Sequence, residues 1–167
     1  MPAETKKTEN SFPVLALRGL VAFPSMILTL DVGRKRSVNA INKAMSSNQL
    51  IYLVTQKDIT VEAPNSSDLY SMGCLCRLRQ TLKMPDGSVK ALVQGLYRAK
   101  HTAFIKEPDI YSAVIEKCEE KPIKNRAVYK ESILRRIRIE FEKYVEVNRN
   151  IAPDVISTVA TCDDIPY

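Results

Sequence analysis

Few residues in this chain could carry chemistry. The one histidine, His101, stands in the run Arg98-Ala-Lys-His-Thr102. Any imidazole-assisted nucleophile would have to use it, because a general base acts only within hydrogen-bond reach of its partner. No Gly-x-Ser-x-Gly elbow and no His-Glu-x-x-His helix occurs. A lone strand histidine beside a lysine reads as a surface residue. Cys74 and Cys76 are two apart on a strand and share a face, which could seed a metal site. Zinc spacings, however, call for two such pairs, each separated by two to four residues. With Cys118 and Cys162 they read instead as small apolar side chains in a reducing compartment. Glu119-Glu120 and Asp163-Asp164 are adjacent in sequence, so their carboxylates diverge. The five glycines are unclustered and offer no phosphate cradle. No catalytic, cofactor-binding or metal-ligating residue emerges, and the residues describe a binding or scaffold module.

The elements that frame these residues read as strands first and helices last. Residues 1–11 form a polar tail, followed by short apolar runs at Phe12–Leu17, Leu20–Phe23 and Met26–Val32. Pro24-Ser25 makes a turn between the last two. Short strands in close succession indicate a barrel-like or sandwich sheet. Val38, Ile41, Ala44 and Met45 recur at helical spacing and predict a helix over 35–47. Leu50–Thr55 is a continuous apolar run suited to a central strand, and residues 57–69 form a loop. From Met72 to Cys118 the alternation is strongly β, with a hairpin around Asp86-Gly87 and a closing strand over 110–118. Lys121-Pro122 marks a boundary. Beyond it the spacing predicts a helix over Lys124–Val147, and Pro153 opens another.

The chain has 167 residues, enough for one domain with a helical appendage. Its composition, 45% hydrophobic and 26% charged, excludes wholesale disorder. Its apolar runs are too short for a transmembrane helix. Residues 1–11 lack the apolar core of a signal peptide, so a cytoplasmic location is expected. The net charge of +6 is unevenly placed. Nine bases stand against four acids between Lys121 and Arg149, so nearly the whole surplus sits there. A solvated helix face explains it, and contact with nucleic acid through Arg135, Arg136, Arg138 and Lys143 is the sharper alternative.

Several segments, taken in order, resemble the N-terminal domain of Lon protease. They are Pro13-Val-Leu-Ala-Leu-Arg-Gly19, Val21-Ala-Phe-Pro-Ser-Met26, Val32-Gly-Arg-Lys-Arg-Ser-Val38 and Leu53-Val-Thr-Gln-Lys-Asp58. Asp68-Leu-Tyr-Ser-Met-Gly73, Leu82-Lys-Met-Pro-Asp-Gly-Ser-Val-Lys90 and Leu92-Val-Gln-Gly-Leu-Tyr-Arg-Ala99 complete the match. The chain departs from the family at Ala16, usually proline, at Ser25, commonly glycine, and at Lys35, often acidic. The last change puts a cation where the helix dipole favours an anion.

The resemblance implies an α+β fold, a β-rich pseudo-barrel of PUA-like type over 12–120 with one packed helix, followed by a helical region over 121–167. It implies a fragment of a cytoplasmic, hexameric, ATP-dependent serine protease. That protease's Walker motifs, ATP and Mg sites and Ser–Lys dyad belong to modules absent from these residues. It implies capture of unfolded or damaged proteins and support of assembly. Capture of many sequences needs adaptable apolar surface, for which methionine is suited. Met26, Leu82, Met84 and Pro85, near turns and the hairpin tip, are the candidate contacts, with Met72 beside them. Met45 is assigned to the core. Leu134, Ile137, Phe141 and Tyr144 form a helix stripe that must bury against something, a sister chain included. A stand-alone or purely structural module of the same type is the alternative function, and nucleic-acid binding ranks third.

Overall fold

The apolar runs of the first half leave no polar face, so the strands they form must be covered on both sides. The computed structural model describes residues 11–119, 126–148 and 151–163. The elements are β1 (Ser11–Leu17), β2 (Ile27–Val32), α1 (Lys35–Met45), β3 (Leu50–Gln56), β4 (Leu69–Lys83), β5 (Val89–Lys106), β6 (Tyr111–Lys117), α2 (Arg126–Val147) and α3 (Pro153–Thr161). They fall into two units, Met1–Cys118 and Glu119–Tyr167.

In the first unit the strands lie in the order β2-β5-β4-β3-β1-β6, and β6 also pairs with β5. Five strands therefore close into a ring, and β2 is attached outside it to the first half of β5. The β1–β3 pair is parallel. A parallel pair needs a crossover, and α1 supplies it. Alternation divides the side chains between two cores. Leu15 and Leu17 of β1, Ile51 and Leu53 of β3, and Cys74, Cys76 and Leu78 of β4 face one, which Ala40, Ile41 and Ala44 of α1 cover. Phe12 and Val14, Tyr52 and Val54, and Leu75 face the other, with Tyr111, Ala113 and Ile115 of β6. The Cys-x-Cys pair is thus core packing. Met45 is half-buried and packs against the first core.

The ring closes because β5 changes partners. Val89–Gln94 pairs with β2 and Ala99–Lys106 with β6, while β4 runs along the other side. The exchange falls at Gly95. Its N–H donates to the Met26 carbonyl at 2.9 Å, and its carbonyl accepts from the Ser25 N–H at 3.0 Å. A Cβ there would sit 2.0 Å from the Phe23 carbonyl oxygen, so no side chain fits without moving backbone. Ser25 itself holds a left-handed φ of 64°.

Three expectations change here. Leu20–Phe23 is not a strand. Pro24 has no N–H to give to a ladder, and the left-handed Ser25 turns the chain at once into β2. The segment is instead pinned by Ala22 in the core and by the Thr55 hydroxyl, which donates to the Leu20 carbonyl at 2.7 Å. β4 starts at Leu69, three residues before the expected Met72, because Leu69 is buried in the second core and pairs with Gln56. Ser11, assigned to the tail, belongs to β1 and pairs with Val114. Residues 1–10, the Lys121-Pro122 boundary and the start of the helix at Lys124 lie outside the described residues. The hairpin forms as expected: Gly87 has φ 83°, and Asp86 accepts from the Ser88 N–H and hydroxyl. Those two donors hold the Asp86 carboxyl below its ordinary value.

In the second unit α3 begins with Pro153 in its first turn, as the sequence predicts. Arg138 of α2 donates to the Cys162 carbonyl at 3.0 Å and pairs with Asp163 at 3.2 Å.

Two substitutions test the exchange point. Gly95→Ala should cost at least about 2 kcal/mol, because two backbones must separate. Ser25→Gly should gain about 1 kcal/mol by removing a left-handed non-glycine residue. Urea denaturation of both variants measures each change.

Candidate functional site

The outer face of β2, β5 and β4, with the turns at its ends, carries the four residues expected to contact a polypeptide substrate. In β2, Leu28, Leu30 and Val32 face the core, so Ile27, Thr29 and Asp31 face out. The ladder pairs Ile27 with Gln94, Thr29 with Leu92 and Asp31 with Lys90. On the other side of β5, Leu92 pairs with Gln80 and Lys90 with Leu82. Paired residues share a face, and diagonal neighbours in such a ladder lie about 7–8 Å apart. Ile27, Leu92 and Leu82 therefore run as a diagonal apolar stripe across three strands. Ile27 is 64% exposed and Leu82 59%.

Polar groups border the stripe. Lys90 and Asp31 form an exposed ion pair at 3.3 Å. The Arg79 guanidinium donates twice to the Gln94 side-chain oxygen. Apolar side chains flank the stripe in sequence at both ends. Before Ile27 come Met26 and Phe23, 38% and 55% exposed. Beyond Leu82 come Met84, half-buried, and Pro85, exposed at the hairpin tip. The two ends are separated by the length of β2, six residues or about 20 Å. Met26 thus does not touch Leu82, Met84 or Pro85; Leu92 lies between them. The sequence assigns Phe23, Ile27 and Leu92 to short strands and does not single them out as contacts. The outward phase of Ile27 and Leu92 was already present in the alternation.

β2 also lies at an end of the strand order, with β5 its partner. Among the described residues no strand pairs with its other edge, whose backbone groups are open to an extended chain. Met72 is exposed elsewhere, and its sulfur lies 3.3 Å from the Cys118 thiol.

The helix stripe is placed in the second unit. Ile137 and Tyr144 are exposed, whereas Leu134 and Phe141 are half-buried. Ile137, Phe141 and Tyr144 line a groove of about 510 Å³ with Ile133, Arg136 and Glu140. Leu134 lines a different hollow on α2, with Arg135, Arg138 and Asp163. Of the four basic candidates, Arg138 is bound to Asp163 and Lys143 to Glu140 at 3.2 Å. Arg135 and Arg136 are exposed. Among the described residues, no group of three or more His, Cys, Asp and Glu could hold a metal ion, and no helix is long and apolar enough to cross a membrane.

A family model described as the ATP-dependent protease La (LON) substrate-binding domain matches residues 11–167. The chain is 36% identical to a Lon protease of Syntrophomonas wolfei over 164 residues, covering 98% of the chain and 20% of the relative. It is 38% identical to that of Endomicrobium trichonymphae over 162 residues, covering 96% and 20%. The chain thus spans about one fifth of the length of these curated relatives. Among solved structures, the N-terminal domain of Mycobacterium avium complex Lon protease superposes with a TM-score of 0.57 at 20% identity, over 90% of this chain and 82% of that one. A Lon N-terminal domain protein from Xanthomonas campestris gives 0.54 at 14% identity, over 77% and 73%. Both support the fold, a β-rich sheet with few helices.

His101 is half-buried rather than on the surface. Its ring meets Tyr52 and Phe104 edge-on, at 6.2 and 6.3 Å between centroids. Burial, and then the charge of Lys100, lowers its pKa from the ordinary 6.5. The unfolded chain therefore takes up this proton more readily than the folded one. His101 contributes stability above pH 6.5 that is lost as pH falls through its lower folded value. The thermal midpoint of the wild type should drop between pH 7 and pH 5 by more than that of His101→Gln.

Proposed function

Because this chain belongs to the family of Lon substrate-binding domains, we propose that it captures unfolded or damaged polypeptides on the outer face of β2, β5 and β4 for an ATP-dependent protease. The domain it matches is the substrate-binding one and not a catalytic one. The observation that carries the reading is the diagonal stripe of Ile27, Leu92 and Leu82 beside the free edge of β2. An unfolded segment brings apolar side chains in no fixed order. A stripe ending in flexible methionines adapts to them, and an open strand edge hydrogen-bonds any main chain regardless of sequence. A folded protein presents neither in quantity, so the surface discriminates by state rather than by sequence. In the whole protein, cytoplasmic and hexameric, such capture precedes ATP-driven unfolding and peptide hydrolysis by other modules.

A structural role in assembly is the second reading. It is favoured by the exposed Ile137 and Tyr144 on the α2 groove. It makes the region from residue 121 onward the contact between subunits and the lobe over 12–120 the capturing part. Nucleic-acid binding is weaker, since two of its four cations are already paired with carboxylates.

The double variant Ile27→Asp with Leu82→Asp separates these readings. Both side chains are exposed, so its stability should stay within about 0.5 kcal/mol of the wild type. Its affinity for a permanently unfolded, carboxymethylated protein, measured by fluorescence anisotropy, should fall at least about tenfold. Wild-type binding should change little with salt, unlike binding driven by phosphate contacts. Undiminished affinity in the variant would remove this face from substrate capture. Ile137→Asp with Tyr144→Asp should leave capture intact and lower only self-association in sedimentation.

A further inference from the structure

A second concentration of groups lies at the start of α1, and the capture reading makes no use of it. Arg34 is the residue before the helix, and Lys35, Arg36 and Ser37 form its first turn. No acid stands in that turn and no side chain caps it. The first bond of the helix is from the Val38 N–H to the Arg34 carbonyl at 2.9 Å. The N–H groups of Lys35, Arg36 and Ser37 are therefore left for something outside the helix. The helix dipole adds positive potential at the same point.

Three guanidinium groups converge there on neutral acceptors. Arg34 donates to the Ala16 carbonyl at 2.9 Å and the Glu62 carbonyl at 3.2 Å. Arg18 donates to the Val61 carbonyl at 3.2 Å. Arg36 donates to the Tyr111 hydroxyl and lies 4.8 Å over its ring. With Lys35 these are four cations. The carboxylates lining the same cavities are Glu62 and Asp31, and Asp31 already pairs with Lys90. Among the described residues, about three positive charges lining these cavities are left without a carboxylate partner.

Ser37 points to what fills the gap. It is one of three buried polar residues among those described, at 8% exposure. Gln56 donates to the Asp58 and Val61 carbonyls, and Ser112 to Glu107. Among these three, Ser37 alone shows no side-chain hydrogen bond, and its hydroxyl oxygen is not sealed in the core but opens onto the cavities, where it can meet a ligand. It lines both cavities at the helix start, of about 490 and 370 Å³, which also share Ala16, Arg18 and Arg34.

We propose that this cleft is a binding site for a multivalent phosphate-type oxyanion, held by the three free N–H groups of α1, the Ser37 hydroxyl and the flanking Arg18, Arg34, Lys35 and Arg36. Helix N-termini and arginine forks are suited to such oxygens. A single carboxylate would leave most of the surplus charge uncompensated, so a dianion or larger is the better match. The larger cavity reaches the edge of β2 at Thr29, Asp31 and Val32 but contains none of Ile27, Leu92 and Leu82, so the site stands whether or not that apolar stripe captures polypeptide.

The test uses the full chain, with sodium phosphate and pyrophosphate titrated at ionic strength held constant with chloride. The readouts are the amide shifts of Lys35, Arg36 and Ser37 and the thermal midpoint. Pyrophosphate should shift those three amides saturably, raise the midpoint and bind more tightly than phosphate. Lys35→Glu and Ser37→Ala should each weaken it about tenfold or more. Lys35→Glu should not lower the midpoint of the free chain, since an acid in the first turn suits the dipole. Should Ser37→Ala lose its fold, Arg36→Gln takes its place in the comparison. Amides that stay still, or shift equally in the variants, would overturn the site. So would tighter binding of a peptide with a free terminal carboxylate than of pyrophosphate, which would make the cleft a carboxylate receptor.

Discussion

The fold depends on one close approach of two backbones. At Gly95 a single long strand leaves β2 and continues toward β6, and the turn before β2 lies across it at hydrogen-bond distance. Any side chain at this point would occupy the space of the Phe23 carbonyl. Because β5 passes through, β6 can pair with both β5 and β1 and close the ring. Because β2 stays behind, one strand remains outside with a free edge. The ring encloses the second core and shares the first with the inner face of β2. The open half supplies a surface that a sheet closed on itself would lack.

That division also sets where function can sit. Cores on both faces of β1 and β3 account for the buried cysteines and for Tyr52, whose hydroxyl donates to the Ala99 carbonyl at 3.0 Å. Burial then raises the phenol pKa, and the group takes no part in solvent chemistry. The partly exposed apolar side chains of the outer face of β2, β5 and β4 are not consumed by either core. The start of α1 is a different kind of surface, rich in cations and short of acids. One chain thus presents an apolar, sequence-tolerant face and a compact charged cleft, with β2 bordering both.

The strands of the lobe were legible wherever burial and alternation agreed. Leu50–Thr55 announced a strand buried on both faces, and Asp86-Gly87 announced the hairpin. Leu20–Phe23 misled because its apolar run has the composition of a strand. What keeps it out of the sheet is Pro24 and the left-handed turn at Ser25, together with a long-range contact to Gly95 that no local pattern reports. Ser25 stands where the resemblance implies glycine, and its positive φ is a conformation that glycine adopts at no steric cost. Met26, Leu82, Met84 and Pro85 were found from turn position, but the stripe that joins them required the ladder register, which is a pairing property and not a sequence one. The four bases on α2 looked alike in sequence. Only the fold distinguishes Arg138, tied to Asp163, from Arg135 and Arg136.

Uptake of unfolded chain by the β2–β5–β4 face is measured by a residue-resolved amide titration of this chain with a carboxymethylated, permanently unfolded protein and with the native form of the same protein, at low and high salt. Salt-tolerant shifts over Phe23–Ile27, Leu82–Pro85 and Leu92 are expected with the unfolded form alone. Shifts confined to α1 or α2, or equal shifts with the native form, would contradict such uptake.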